Sequence, residues 1–256
     1  MMGVLVDSHV HFDDVSFDPD REIAWQRAQD AGVKIQIIPA VTANGWQNLA
    51  AICQHYPGLY PAFGLHPMYV AEHKIEHLQQ LTQWLQQPNV VAVGECGLDY
   101  FVADLDREQQ LYFFTEQLRL AQQFDLPVII HARRAVDEVI KCLRRSHCRG
   151  VVHSFSGSEQ QANQLLNLGF YLSFGGTVTY PRAQRLRQLV QILPLERILL
   201  ETDAPDQPLS THRGERNEPS YLLEIVHTLA QLRHESPEQV AAVTTQNALT
   251  LFGLSS

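Results

Sequence analysis

The chain has 256 residues, 45% of them hydrophobic, and a formal net charge of −9. This length and apolar content suffice for one large α/β domain, and the acidic balance excludes a protein that draws in nucleic acid through a general positive field. A phosphate ligand must therefore be held locally. The four cysteines show no CxxC spacing, which favours reduced thiols in a cytoplasmic protein. The N-terminus lacks a basic signal-peptide segment, and no apolar run reaches the ~18 residues that a membrane helix needs.

Short runs of apolar and β-branched residues recur along the chain, and each is followed by a longer segment with helical spacing. The clearest helix is predicted over Asp106–Phe124, where apolar residues repeat at the helical interval on a polar background. The tail beyond residue 219 predicts two or three further helices. The eight predicted strands are Val4–Val6, Val33–Ile38, Leu59–Leu65, Val90–Val93, Pro127–Ile130, Gly150–Val152, Phe170–Phe174 and Arg197–Leu200.

Strands that alternate with helices of this length indicate parallel pairing through crossover helices. Eight such units in about 250 residues predict a (β/α)8 TIM-type barrel, and we expect a single domain over residues 1–256. The alternative is a doubly wound open sheet. It is disfavoured because the first strand is followed by Asp7-Ser8-His9-Val10-His11 instead of a glycine-rich loop.

Residues suited to metal binding lie at the carboxyl ends of these predicted strands. In a barrel those ends converge on one mouth, so side chains distant in sequence share a site. Neutral imidazoles and carboxylates together suit a divalent cation and leave coordination positions for water and substrate. The candidates are His9, His11, His66, Glu95, His131, His153 and Asp203.

Each candidate also has a simpler interpretation. His9 and His11 are separated by one residue, which places both rings on one side of an extended strand. Such a pair also occurs by chance or on the protein surface without a function. Glu95 after a buried run requires a cation or hydrogen bonds, and an arginine would serve as well as a metal. Asp203 is a candidate metal ligand and general base, or only a helix cap. The number of candidates at one mouth favours the metal interpretation.

Six segments of the chain together resemble the TatD-type metal-dependent hydrolases, a family of amidohydrolase-like barrels. The resemblance spans nearly the whole chain, with the segments in the family's order. They are Asp7-Ser8-His9-Val10-His11-Phe12, Gly64-Leu65-His66-Pro67, Gly94-Glu95-Cys96-Gly97-Leu98-Asp99-Tyr100, His131-Ala132-Arg133, His153-Ser154-Phe155-Ser156-Gly157 and Leu200-Glu201-Thr202-Asp203-Ala204-Pro205.

This resemblance implies a metallohydrolase with a centre of two divalent ions (zinc, manganese or magnesium), and deoxyribonuclease activity as in many members. It implies a first metal site with Asp203 as a ligand, a bridging carboxylate at Glu95, and a second site. Asn217-Glu218-Pro219 resembles a segment that follows the last strand in relatives. The implied ligands of the first site besides Asp203 are His9 and His11, and those of the second are His131 and His153.

We expect the substrate to be DNA or another phosphodiester, cleaved exonucleolytically and bound in part by His66 and Arg133. Arginine guanidinium groups match phosphate oxygens in geometry. One alternative is that the same barrel hydrolyses an amide, lactone or ester, including an aminoacyl ester on tRNA; a further one is a metal- or nucleic-acid-binding scaffold without turnover. No membrane and no obligate protein partner is implied. The arginines expected near the mouth are Arg133, Arg134, Arg182, Arg213 and Arg216.

Overall fold

The structure is a computed structural model that describes residues 3–255. Eight strands alternate with nine helices in this part of the chain, and short 3-10 turns lie between several of them. The strands are β1 (Leu5–Asp7), β2 (Val33–Pro39), β3 (Leu59–Phe63), β4 (Ala92–Asp99), β5 (Val128–Arg133), β6 (Gly150–Val152), β7 (Tyr171–Phe174) and β8 (Ile198–Leu200). The helices are α1 (Arg21–Asp30), α2 (Trp46–His55), α3 (Ile75–Trp84), α4 (Arg107–Gln123), α5 (Val136–Leu143), α6 (Glu159–Asn167), α7 (Gln184–Ile192), α8 (Leu222–Arg233) and α9 (Pro237–Phe252).

The eight strands form one sheet in the order β1 to β8. Neighbouring strands pair in parallel, for example β4 with β5 and β5 with β6. The sheet also joins its first strand to its last, because the Ser8 amide donates to the Leu200 carbonyl at 3.0 Å. An open doubly wound sheet leaves its two edge strands unpaired, so this closure excludes that alternative. The predicted (β/α)8 barrel is confirmed.

The chain groups into two compact units. One contains the residues up to Ile38, the segment His55–Leu59 and the residues from Ser173 onwards; the other contains Pro39–Gln54 and Tyr60–Leu172. Both units have apolar cores with side chains that are almost fully buried. The organisation as a single domain stays a prediction.

In the unit that contains both chain ends, α9 packs against β1 and β8. The Asn247 side chain donates to the carbonyls of Leu195 and Ile198, both at 2.8 Å. Thr245 Oγ1 donates to the Val4 carbonyl at 3.0 Å. Side chains of the last helix therefore form hydrogen bonds with the residue before β1, with the turn before β8 and with the first residue of β8. No helix within residues 3–255 has the length and apolar character needed to cross a membrane.

In the other unit, β4 differs from its prediction. The apolar run suggested a strand over Val90–Val93, whereas the strand extends from Ala92 to Asp99, so Glu95 lies inside it and not after it. Pairing with β5 explains the extension, since Asp99 is in register with Arg133. Glycine is uncommon in strands, so Gly94 and Gly97 made this segment look unlike a strand in the sequence.

Gly97 permits a close approach of β4 to β5. Its φ is +138°, and a Cβ at this position would lie 2.1 Å from the His131 carbonyl oxygen. No other residue fits there without moving the backbone. The glycine thus sets the spacing between the strand of Glu95 and the strand of His131.

Candidate metal centre

Three predicted ligands meet in the unit that contains the chain ends. Asp203 Oδ1 lies 3.4 Å from His9 Nε2 and 3.6 Å from His11 Nε2. The two imidazole nitrogens are 3.3 Å apart, and the rings are nearly perpendicular. His9 is fully buried and Asp203 is 8% exposed. These nitrogen and oxygen atoms converge as the ligands of one cation do.

Backbone hydrogen bonds hold the segments of these ligands together. The Asp203 amide donates to the His9 carbonyl at 2.9 Å, and the His11 amide donates to the Ala204 carbonyl at 2.8 Å. Asp203 has a φ of +58°, a conformation that residues other than glycine rarely adopt. The Gln207 side-chain amide donates to Asp203 Oδ2, which leaves Oδ1 towards the imidazoles.

Asp7 joins β1 to the segment after β8. Its carboxylate accepts from the Thr202 amide at 3.0 Å and from the Thr202 hydroxyl at 2.5 Å. Burial raises the pKa of Asp7 to about 8, although these hydrogen bonds act in the opposite direction. Asp7 therefore connects β1 to the segment that carries Asp203 and has a structural role.

Asn217 fixes the loop that carries Asp203. Its side-chain amide nitrogen donates to the carbonyls of Thr202 and Asp206, both at 2.8 Å, and to that of Gln207 at 3.3 Å. Its side-chain oxygen accepts from the Glu218 amide at 2.9 Å. Asn217 is fully buried. The Asn217 side chain thereby supplies hydrogen bonds to three carbonyls of an irregular segment, where no regular secondary structure provides donors.

Four predicted site residues meet in the other unit, around one oxygen atom. Glu95 Oε1 lies 2.8 Å from His66 Nε2, 2.8 Å from His153 Nε2 and 3.0 Å from His131 Nδ1. Glu95 is 1% exposed, and His66 and His153 are each 6% exposed. Three imidazoles therefore surround one buried carboxylate. The structure places His66 within this group, and its predicted contact with the substrate stays a prediction.

A second carboxylate lies on the opposite edge of the His131 ring. Asp99 Oδ2 is 2.9 Å from His131 Nε2, so this nitrogen donates to Asp99, while Nδ1 faces Glu95 Oε1 at 3.0 Å. Burial of the ring disfavours its protonation, but the hydrogen bonds with Asp99 and Glu95 outweigh burial and raise the pKa of His131. The pKa of Asp99 is lowered: burial opposes this, and the hydrogen bond from His131 outweighs it.

Helix α4 holds Asp99 in place. The Gln110 side chain accepts from the Asp99 amide at 2.8 Å and donates to the Asp99 carbonyl at 3.0 Å. Gln110 is 1% exposed and lies on the buried face of the helix. The helix begins at a capped residue, since the Asp106 carboxylate accepts from the amides of Glu108 and Gln109. The predicted helix is confirmed, and its buried face supports the site.

Both groups fit a divalent cation by the chemistry of their donors. The ligand atoms of His9, His11 and Asp203 lie within 4.8 Å of one another. The same holds for His66, Glu95 and His131. Imidazole nitrogens with one carboxylate are typical of zinc and manganese sites. The ligand role of each residue, and the role of Glu95 as a bridge, stay predictions.

The arginines expected near the mouth differ in their contacts. Arg133 and Arg134 are exposed and stack on Phe101. Arg216 instead pairs with Asp20 at 2.6 Å and with Glu218 at 2.9 Å. The expectation that Arg216 is available for phosphate was wrong, because two carboxylates of its own unit already neutralise it.

The family follows from a comparison with known proteins. The model of a family described as TatD related DNase matches residues 6–253. The chain belongs to this family. It is 43% identical to the uncharacterized metal-dependent hydrolase YjjV of Escherichia coli, over 99% of this chain and 100% of YjjV. It is 33% identical to YabD of Bacillus subtilis, described in the same words, over 97% of this chain and 99% of YabD. The resemblance seen in the sequence is confirmed, and this TatD-family protein is a metal-dependent hydrolase.

Solved structures of TatD-family proteins agree with the fold. The crystal structure of Escherichia coli YjjV superposes with a TM-score of 0.94 at 42% identity and covers 98% of both chains. A TatD-family hydrolase from Entamoeba histolytica superposes with a TM-score of 0.87 at 25% identity over the whole of both chains. The (β/α)8 barrel is thus shared by this chain and its relatives.

Two supporting residues had no assigned role from sequence. Asp99 was part of a quoted motif, and the two-residue period of a strand places it on the same face of β4 as Glu95. That signal was readable, but the strand was predicted to end at Val93. Gln207 gives no comparable signal, because its contact with Asp203 depends on an irregular loop with a φ of +50° at Gln207.

Proposed function

We propose that this TatD-family hydrolase cleaves phosphodiester bonds and acts as a deoxyribonuclease from an accessible strand end. The observation that carries the proposal is the arrangement of three imidazole nitrogens around Glu95 Oε1, in a chain of a family described as TatD related DNase. In this proposal His9, His11 and Asp203 would hold one divalent ion, and Glu95, His131 and His153 would hold another. Such ions polarise a phosphoryl oxygen and increase the acidity of water.

In this proposal Asp203 accepts the proton of the attacking water. Gln207 engages Oδ2 and leaves Oδ1 as the acceptor on the side of His9 and His11. A general base must lie within hydrogen-bond reach of the proton that it removes, and Oδ1 points into the ligand group. Asn217 fixes the carbonyls on both sides of Asp203 and so limits the movement of this carboxylate.

A substrate panel on metal-reconstituted protein tests the proposal. The substrates are linear and circular single-stranded DNA, duplex DNA with free or blocked ends, RNA, bis-p-nitrophenyl phosphate and p-nitrophenyl acetate. We expect cleavage of linear DNA with free ends and turnover of bis-p-nitrophenyl phosphate. Turnover of the acetate alone would support carbonyl hydrolysis, and inactivity with every substrate and with zinc, manganese and magnesium would support a binding scaffold.

A further inference from the structure

Two arginines stack on one exposed phenylalanine beside the carboxyl end of β5. The guanidinium carbon of Arg133 lies 3.7 Å from the centroid of the Phe101 ring, and that of Arg134 lies 4.6 Å from it. Phe101 is 45% exposed. Arg134 has a φ of +55°, which residues other than glycine rarely adopt. The chain thus holds two guanidinium groups at one aromatic surface.

Neither guanidinium has a carboxylate partner in the described part of the chain, residues 3–255. Among the described residues 3–255, the stacking on Phe101 is the only ring contact of either guanidinium, and neither forms a hydrogen bond or an ion pair there. Arg216 shows the contrast, since it is paired with Asp20 and Glu218. Two like charges held together repel each other, and an anion between them relieves the repulsion. Phosphate is the anion whose oxygens best match two guanidinium forks.

The position of the pair separates it from the buried ligand group of its unit. Arg133 follows His131 by two residues on β5, so it lies on the same face of the strand about 6.6 Å further along. His153 and Glu95 are almost fully buried, whereas both arginines are exposed. The arginine pair and the buried ligand group are therefore two separate places along the same strand, and one anion does not occupy both.

We propose that Arg133, Arg134 and Phe101 form a subsite for a second phosphate of the substrate, next to the phosphate that is hydrolysed. The inference rests on the proposed function and narrows it to substrates with at least two phosphates in succession. That second phosphate has two possible sources, an internucleotide linkage or a terminal phosphate monoester. Arg133 then serves in substrate selection and not in the hydrolytic step.

Three short substrates test the subsite in metal-loaded protein: the dinucleotide dTpdT, its 5′-phosphorylated form, and the trinucleotide dTpdTpdT. They contain one, two and two phosphates. We expect KM to be about tenfold lower for at least one of the two-phosphate substrates, because hydrogen bonds to a charged group contribute on this scale. A gain for the trinucleotide alone identifies an internucleotide phosphate, and a gain for the phosphorylated dinucleotide alone identifies a terminal one.

Variants test whether the lower KM for two-phosphate substrates depends on Arg133 and Arg134. Arg134→Met and the double variant Arg133→Met/Arg134→Met should remove the preference for a second phosphate. Arg107→Met is the matched control, since Arg107 is exposed and stacks on Tyr100 at 4.5 Å in the same unit. This control has the same net charge as Arg134→Met and should keep the preference. Equal KM values in the wild-type protein, or an equal loss in Arg107→Met, would overturn the proposal.

Binding separates failure of the subsite from failure of the proposed function. The same three ligands with phosphorothioate linkages resist hydrolysis, and calorimetry with metal-loaded protein gives their Kd values. A preference for two phosphates that Arg134→Met removes supports the subsite even where no dinucleotide is cleaved. Cleavage of all three substrates with equal Kd values would leave the phosphodiesterase proposal standing and reject the subsite.

Discussion

Asp99 Oδ2 accepts a hydrogen bond from His131 Nε2 at 2.9 Å, on the ring edge opposite to Glu95. A carboxylate in this position fixes the tautomer and the orientation of an imidazole that binds metal through its other nitrogen. The contact gives Asp99 a supporting position at the candidate metal centre, although Asp99 does not belong to either ligand group.

Asp99→Asn should weaken metal binding at this group by about 10- to 100-fold, because the amide no longer accepts the imidazole proton with the strength of a carboxylate. Calorimetric titration of metal-free protein with Zn²⁺ or Mn²⁺ measures the effect. Asp104→Asn is the control, since Asp104 is exposed in the loop that follows β4. Equal metal affinity in Asp99→Asn and wild-type protein would reject a role for Asp99 in metal binding.

Asp203→Asn should lower kcat by about 100- to 10,000-fold on whichever substrate the panel identifies, because the amide cannot accept a proton from water. Circular dichroism and thermal unfolding should show an intact fold. Asp206→Asn serves as the control in the same loop. A kcat for Asp203→Asn close to that of the wild-type protein would mean that another group accepts the proton.

Asn217→Leu should reduce the free energy of unfolding by about 2 kcal/mol, because it leaves the buried Thr202 carbonyl and the part-buried Asp206 carbonyl without their donor. Urea denaturation measures the change. Asn163→Leu on the exposed face of α6 provides the comparison. If both variants unfold at the same urea concentration, the hydrogen bonds of Asn217 do not stabilise the loop.

Asp20→Asn should destabilise the protein at neutral pH and have a smaller effect in acid. The hydrogen bond from Arg216, assisted by that from Arg27, lowers the pKa of Asp20 to about 2. A carboxyl group with a lowered pKa contributes stability above its unfolded value near 3.8, and this contribution is lost as the pH falls towards 2.

We therefore expect Asp20→Asn to have a Tm about 2–4 °C lower at pH 7, with the difference shrinking between pH 4 and pH 2. Calorimetric scans across this range test the prediction. Asp104→Asn should show no such trend. A Tm difference for Asp20→Asn that is the same at pH 7 and at pH 3 would contradict a contribution from the ionised carboxylate.

The sequence predicted the barrel and the convergence of most candidate ligands, because the candidates follow the strands in chain order. His9, His11 and Asp203 follow strands that pair directly, so their convergence needs only the fold. The prediction missed the supporting role of Asp99 because it ended the fourth strand at Val93, whereas β4 extends through two glycines by pairing with β5. The pairing of Arg216 with Asp20 was also hidden, because it joins positions 196 residues apart.

The close approach at Gly97 has a consequence for the choice of ion. The His131 carbonyl leaves no space for even one methyl group at Gly97, so a larger residue there would push apart the strands that carry Glu95 and His131. Such a displacement would also change the distance between the donor atoms of Glu95 and His131. Because ions differ in the ligand distances that they require, a larger residue at position 97 would alter the ion preference of a site formed by these two side chains.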